Sequence, residues 1–292
     1  MNYEEFIVAV ENAVRESLPT NRAVQTQHVT KNNGHKKVGI TISQTGVNLS
    51  PTIYLEDYYK GYMEGDLIEE IVMQILDLYE KVRFETNWDT SNLTNYEHVK
   101  ENIVYKLVHL EKNHKMLEDV PYEQFLDLAQ VCYVLLEVKG CGTATILITN
   151  KLLGLWGVGK EDIFARAREN TQNILPVQFY NMQCVIQKLS GETPNTIAGD
   201  GMYFLSNTRG NLGAAALLYE GVLEKIANYL DEDYYIIPSS VHEVIILPVS
   251  FMESREYLDE LIQEVNAHHV ETDEVLSDHA YYYDRRVGAV TM

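Results

Sequence analysis

The stretch SSVHE (239–243) places a potential nucleophile two residues before a potential base. Ser240 and His242 are residue types from which hydrolases build an activated hydroxyl, because the imidazole accepts the hydroxyl proton. In an extended chain both side chains point to one face, but their Cα atoms lie about 6.6 Å apart and the side chains run parallel. An activated serine needs a contact of about 3 Å. We therefore predict a bend between two strands and keep Ser240 and His242 as candidates for hydrolase-like catalysis.

A second candidate site lies in SNTRGNLGAAALL (206–218), where a strand end leads into a loop and a run of small residues. Backbone amides at the start of a helix, with Arg209 beside them, would bind a phosphate or carboxylate. Gly210 and Gly213 are only three residues apart and no GK[ST] follows, so neither a Walker loop nor a dinucleotide fingerprint is present. We retain Arg209, Gly210 and Gly213 as anion-binding candidates. The alternative is that the small residues let a helix approach a sheet closely.

A third group of reactive side chains lies in NAHHVETDEVLSDHAYYYD (266–284). His268, His269 and His279 are possible metal ligands, but their spacing matches no zinc or calcium motif. We therefore predict a solvated polar connection, no bound metal and no cofactor, with these histidines as the residues to inspect for a metal.

Three cysteines, Cys132, Cys141 and Cys184, form no CxxC pair, and their odd number favours free thiols in a reducing cytoplasm. The N-terminus, MNYEEFIVAV, carries acids ahead of its apolar residues, which is unlike a secretory signal. Apolar runs such as VIILPV have the length of a strand rather than of a membrane span. The sequence predicts a cytoplasmic protein without a transmembrane segment.

The charge is strongly acidic, with a formal net charge of −20 over 292 residues. The excess of Asp and Glu is concentrated in 51–100 and 251–292. A negative field repels the phosphate backbone, so direct binding of nucleic acid is not expected. The acidity either maintains solubility or forms a docking face for a basic protein.

The elements that must position these residues begin with an amphipathic helix, YEEFIVAVENAVRESL, and a hairpin that turns at Asn32-Asn33-Gly34. A short strand and acidic helices follow, and the helix with the clearer sequence pattern is predicted to start at Asp66. The polar stretch 85–97 is the predicted boundary between a domain at 1–95 and a larger domain at 96–292.

The larger domain opens with the alternating strand NIVYKLVHL and a hairpin formed by FLDLAQVCYVLLE and TATILIT. Helices are predicted near 160–172, 212–230 and 254–266, the last opening at Ser254, and YYIIP and VIILP form a further hairpin. The fold class is therefore α+β, with mixed or antiparallel sheets packed with amphipathic helices.

Several stretches taken in order resemble a known family: PTIYLEDYY, LEDVPYEQFLDLA, TILITNKLLGLWGV, MYFLSNTRGNLGAAALLYEGVLEKIA, YYIIPSSVHEVIILP and VNAHHVETDEVLSDHAYYYDR. The chain resembles, over roughly residues 50–286, an uncharacterised bacterial family found in gut clostridia and labelled domain of unknown function 5688. The resemblance implies a bacterial cytoplasmic or mobile-element-associated protein. It implies no reaction, ligand or catalytic residue.

Two functional hypotheses follow. The first is a non-enzymatic interaction or regulatory protein whose acidic surface binds a basic protein, including an inhibitor of a nucleic-acid-binding or defence protein. The second is an enzyme or small-ligand-binding protein whose site is assembled from distant segments. The oligomeric state stays open in both.

Overall fold

A computed structural model describes residues 1–84, 93–138, 142–181, 201–238, 240–251 and 255–292. The chain divides into two compact units. Unit 1 comprises 1–93 with 136–144, and unit 2 comprises 94–135 with 145–292. Most of the predicted boundary at 85–97 lies outside the described residues.

Unit 1 is a three-stranded antiparallel sheet with helices. Its elements are α1 (Tyr3–Ser17), β1 (Arg22–Thr30), β2 (Lys36–Gln44), β3 (Thr52–Tyr54), α2 (Glu56–Glu64) and α3 (Ile68–Val82). The predicted N-terminal helix and hairpin are both present. Asn33 and Gly34 have φ of 58° and 69°, a backbone region that Asn and Gly tolerate best, and they turn the hairpin.

The core of unit 1 is built by apolar residues at helical and alternating spacing. Phe6, Val10 and Val14 of α1 are fully buried, together with Ile40 of β2 and Ile75 of α3. The acidic helix begins later than Asp66, at Ile68, because the Glu70 carboxylate accepts a hydrogen bond from the Leu67 amide (3.3 Å) and closes the first turn there.

Unit 2 carries the other two antiparallel sheets. Its strands are β4 (Ile103–His109), β5 (Tyr122–Phe125), β6 (Leu128–Val138), β7 (Gly142–Leu147), β8 (Val177–Asn181), β9 (Tyr203–Asn207), β10 (Tyr234–Ile237), β11 (Val244–Pro248), β12 (Tyr281–Asp284) and β13 (Ala289–Thr291), although residues 136–138 of β6 and 142–144 of β7 belong to unit 1. Its α-helices are α4 (Tyr96–Val99), α5 (His114–Leu117), α6 (Asn150–Trp156), α7 (Lys160–Ile174), α8 (Val222–Leu230) and α9 (Arg255–His268).

The larger sheet of unit 2 has the order β13-β12-β10-β11-β9-β8, and the smaller one has the order β4-β6-β5 with β7 also paired to β6. Both predicted hairpins of this region are therefore present, β6–β7 and β10–β11. The α+β class with antiparallel sheets is confirmed.

Helices cover these sheets through specific polar contacts as well as apolar ones. In α7, the Asn170 amide donates to the carbonyl of Ile103 (3.0 Å), and the Thr171 hydroxyl accepts from the amide of Tyr105 (3.1 Å). Leu258 and Ile262 of α9 pack against the larger sheet. Buried backbone groups that a strand leaves unpaired are thereby satisfied.

One predicted helix is wrong. The stretch 213–230 is not continuous: a 3₁₀ segment occupies Gly213–Leu218, and α8 begins only at Val222. Gly221 has φ of 69° and interrupts the helical backbone between them. The final helix is described from Arg255, and Ser254, its predicted start, lies outside the described residues.

Candidate functional site

The bend between β10 and β11 holds the first candidate pair. The two strands pair in antiparallel register from Tyr234–Pro248 to Ile237–Ile245, which confirms the predicted hairpin. The backbone between them is bent at Val241 and His242, whereas Ser240 forms an isolated bridge with Val275. The backbone through 240–242 is therefore not the extended one that would align the two side chains on one face.

The Ser240 hydroxyl accepts a hydrogen bond from the backbone amide of His242 (3.1 Å). The imidazole is engaged elsewhere: Nδ1 accepts from the Leu212 amide (3.2 Å), and Nε2 lies 3.3 Å from Glu274 Oε1. Because Nδ1 accepts from an amide, the ring proton of the neutral form resides on Nε2, facing Glu274. Both ring nitrogens of His242 thus connect segments of the chain.

The second candidate stretch meets the same bend. The carbonyl of His242 accepts from the Gly213 amide (2.9 Å) and from the Ser206 hydroxyl (2.8 Å), and Val241 accepts from the Ala214 amide (3.2 Å). Residues 206–214 and 240–242 therefore form one structure, which we call the His242 junction. Sequence reading treated them as separate sites.

The amides considered for anion binding already have protein acceptors. The Arg209 amide donates to Asn207 Oδ1 (2.9 Å), and the Gly210 amide donates to the Asn207 carbonyl (3.0 Å). Gly213 donates to His242, and no long helix starts there whose dipole would favour an anion. The loop is thus a turn stabilised by Asn207, and it forms part of the His242 junction.

The C-terminal histidines serve separate contacts. His268 and His269 are neighbours at the end of α9, with ring centroids 6.4 Å apart, whereas His279 Nδ1 lies 3.3 Å from Asp259 Oδ2. Within the described ranges, no group of three or more His, Cys, Asp or Glu side chains has an arrangement that would hold a metal ion.

A polar cluster that sequence reading missed brings distant segments together. The Ser277 hydroxyl donates to Asp127 Oδ2 (2.6 Å), and the Tyr281 hydroxyl donates to Asp127 Oδ1. Ser277 and Tyr281 are fully buried. Burial raises the pKa of Tyr281, and the neighbouring carboxylate raises it further. This network of Asp127, Ser277 and Tyr281 joins the β5–β6 turn to the C-terminal segment.

The network continues toward the surface through Asp278. Asn266 of α9 donates to the Ser277 carbonyl (2.9 Å) and to Asp278 Oδ1 (2.9 Å), and Lys112 donates to Asp278 Oδ2 (2.8 Å). Burial alone would raise the pKa of Asp278, but the hydrogen bonds from Lys112 and Asn266 outweigh it and hold that pKa below its usual value.

His109 is the last residue of β4 and lies three positions before Lys112. Its Nδ1 accepts from the amides of Glu111 (3.1 Å) and Lys112 (3.2 Å), so the neutral ring caps the turn after β4. Burial, with the Lys112 charge adding to it, lowers the pKa of His109. The imidazole is therefore held in the form that accepts these two amides.

The cluster contains a hydroxyl, a carboxylate and an imidazole, which are the groups of a hydrolytic triad. The arrangement differs from a triad because Ser277 donates to the carboxylate of Asp127 and the imidazole of His109 accepts from backbone amides. A nucleophile also needs access to substrate, and Ser277 is fully buried. This geometry supports a structural role, in which charge-assisted hydrogen bonds hold distant segments of the chain together.

The fold is therefore that of an α+β protein in which hydrogen bonds from polar side chains hold the connecting loops against the antiparallel sheets. In the parts of the chain that the structure describes, every helix is too short or too polar to cross a membrane. The chain belongs to a family of unknown function (DUF5688), whose model matches residues 3–285. This confirms the resemblance and extends it to the N-terminal helix and hairpin. No curated protein and no solved structure matches the chain.

Proposed function

We propose that this protein is a non-enzymatic interaction module of a bacterial cytoplasm that docks a basic protein partner. Two features of the protein support this proposal. The nitrogen atoms of His242 and the hydroxyl of Ser277 are engaged by protein groups. The helices of unit 1 carry a surface with the composition of a docking face.

The observation that carries the proposal is a mixture of acids and exposed large apolar side chains on α2, α3 and the turn between them. We call it the acidic helical surface, and it consists of Asp57, Met63, Glu64, Asp66, Leu67, Glu69, Glu70, Met73, Asp77 and Leu78. Met63, Leu67 and Met73 are 65%, 60% and 59% exposed.

Several acids of this surface are not neutralised internally. Glu64, Asp66, Glu69 and Asp77 make no ion pair with any residue in the described part of the chain. Other acids of unit 1 do form ion pairs, as Glu80 does with Arg22 and Arg83, and Glu11 with Arg15. The unpaired carboxylates therefore leave a negative potential around exposed apolar groups.

A partner that fits this surface carries Lys or Arg around an apolar contact. Complementary charge steers association and selects the partner, whereas burial of Met and Leu supplies affinity. Methionine is suited to such a face because its flexible thioether side chain adapts to irregular contacts. A partner whose basic surface normally binds nucleic acid satisfies the same requirement, and the protein would then act as its inhibitor.

The experiment is affinity capture from native bacterial lysate with three matched baits. The first bait is the unaltered protein, and the second carries E64K, E69K and D77K on the acidic helical surface. The third carries E111K, E118K and D119K, which reverses the same number of exposed acids in unit 2. Captures are compared at low and high salt, since screening weakens exposed charge pairs.

The expected result is a protein retained by the first and third baits, lost from the second, and released at high salt. The variant M73A should also weaken capture without changing the thermal stability, because Met73 is exposed. If no partner is salt-sensitive, or the second and third baits lose it equally, the proposal is wrong. Competition by nucleic acid for the captured partner tests the inhibitor form.

A further inference from the structure

Unit 2 contains a cavity of about 530 Å³ between the start of α8, the turn before it and the β12–β13 hairpin. Its size lies within the range of about 300–1,000 Å³ that small-molecule sites occupy. The floor includes the buried side chains Leu217, Tyr219 and Tyr283, and the rim includes Glu224 and Arg286. None of its lining residues belongs to the His242 junction or to the Asp127 network, although Phe125, which lines it, packs edge-on against Tyr281 (ring centroids 6.3 Å apart).

The floor is apolar and held in place. The Tyr283 ring stacks on Tyr234, with centroids 4.9 Å apart and an interplanar angle of 14°. The Tyr219 hydroxyl donates to the carbonyl of Leu175 (2.8 Å), which directs its polar atom to the protein and leaves its ring as lining. A ligand body that meets these rings must therefore be apolar.

The turn that carries the arginine is also fixed. Asp284 Oδ1 accepts from the amides of Arg286 (2.8 Å) and Val287 (3.1 Å), and Gly288 donates to the Asp284 carbonyl (2.8 Å). The turn thus holds Arg286 at the rim of the cavity with little backbone freedom.

Three charged residues line the cavity, Glu224, Arg285 and Arg286, and two of them have no ion-pair partner among the described residues. Arg285 is paired with Asp231 (2.7 Å). The Arg286 guanidinium and the Glu224 carboxylate make no ion pair or hydrogen bond with residues that the structure describes. A purely anionic or purely cationic ligand would match only one of them.

We propose that this cavity binds a small zwitterion with an apolar body, either an apolar α-amino acid or a short peptide. Arg286 binds the carboxylate, Glu224 binds the ammonium group, and the apolar body lies against Tyr283 and Tyr219. Guanidinium–carboxylate and carboxylate–ammonium contacts are charge-assisted hydrogen bonds, the strong class in proteins. The aromatic floor selects bulky apolar side chains over polar ones.

Isothermal titration with four defined ligands tests the proposal. L-phenylalanine and the dipeptide leucyl-phenylalanine carry both charges and distinguish the amino acid from the peptide. N-acetylphenylalanine lacks the ammonium group, and phenylalanine amide lacks the carboxylate. The variants are E224Q and R286Q, and the controls are E220Q and K225Q, which alter exposed charges beside Glu224 that do not line the cavity.

We expect at least one zwitterion to bind, and loss of either charge from the ligand to weaken binding about tenfold or more. E224Q should weaken the binding of the zwitterion by a similar factor but leave the affinity for N-acetylphenylalanine unchanged. R286Q should weaken the binding of every ligand except phenylalanine amide, which has no carboxylate. E220Q and K225Q should bind as the unaltered protein does.

Three results would each overturn the proposal. One is the absence of saturable binding by both zwitterions up to their solubility limits. Another is equal affinity for the zwitterions and the singly charged analogues. The third is an equal loss of affinity in the controls and in E224Q and R286Q. These variants change exposed side chains, so each should melt as the unaltered protein does. The melting curves therefore serve as the control that each variant is folded.

Discussion

The substitution Gly213→Ala tests the His242 junction most sharply. A Cβ atom at this position would lie 2.1 Å from Ser206 Oγ, 2.6 Å from the His242 carbonyl oxygen and 2.7 Å from the Asn207 nitrogen. The hydroxyl can rotate away, but the other two atoms belong to the backbone. The chain around Gly213 must therefore move away from residues 207 and 242.

The expected cost follows from what that movement breaks. The Gly213 amide and the Ser206 hydroxyl both bond to the His242 carbonyl, at 2.9 and 2.8 Å. Each of these bonds contributes about 1 kcal/mol net, and overpacking a well-filled interior costs about 1–3 kcal/mol. The free energy of unfolding should thus fall by about 3–5 kcal/mol.

Urea unfolding followed by far-ultraviolet circular dichroism measures this change. The matched control is Gly154→Ala in α6, where an added Cβ meets no atom within 4 Å. Alanine favours a helix over glycine, so this control should be neutral or more stable by up to about 1 kcal/mol.

A Gly213→Ala protein within about 0.5 kcal/mol of its parent would refute the close-approach argument, since that is the usual range of a harmless surface change. The double variant Ser206→Ala, Gly213→Ala removes the nearest atom and keeps both backbone contacts. We expect it to stay as unstable as Gly213→Ala. Recovery to the level of Ser206→Ala alone would show that the hydroxyl, rather than the backbone, limits the space.

Two further predictions concern the polar network of unit 2. Asp127→Asn weakens the charge-assisted bonds from Ser277 and Tyr281 and should lower the free energy of unfolding by about 1.5–3 kcal/mol, measured in urea; unchanged stability would show that the carboxylate charge is dispensable. The lowered pKa of His109 means that the unfolded chain binds the proton more readily, so the melting temperature should fall as pH drops below about 6.5 and through the folded-state pKa. His109→Asn keeps an acceptor for the two amides and should abolish this first fall, whereas the fall from Asp278, whose pKa is also lowered, should remain at more acidic pH. Superimposable pH profiles of parent and variant would contradict the assignment to His109.

Local patterns predicted the elements whose stabilisation is itself local. Four-residue spacing of apolar residues in α1, and alternation on both sides of Asn32-Asn33-Gly34, each determine which face is buried. The β10–β11 hairpin is similar, because two continuous apolar runs flank a bend rich in polar residues. These predictions needed no knowledge of the rest of the chain.

The failure at 213–230 has a tertiary cause. Alanine and leucine favour a helix locally, but the amides of Gly213 and Ala214 donate to His242 and Val241. These acceptors belong to a bend almost thirty residues away, and their bonds hold the segment in a tighter 3₁₀ turn. Propensity is a weak prior when buried backbone groups find better partners elsewhere.

The sequence by itself determined the α+β class, the acidic charge and the family, because composition, periodicity and ordered motifs are properties of the chain. Only the tertiary structure decided what the polar residues contact. Asp127 meets Ser277 and Tyr281 from about 150 positions away, and Glu224 shares a cavity with Arg286. Spacing along the chain carries no record of such pairs, since side chains distant in sequence meet only after the sheets and helices have packed.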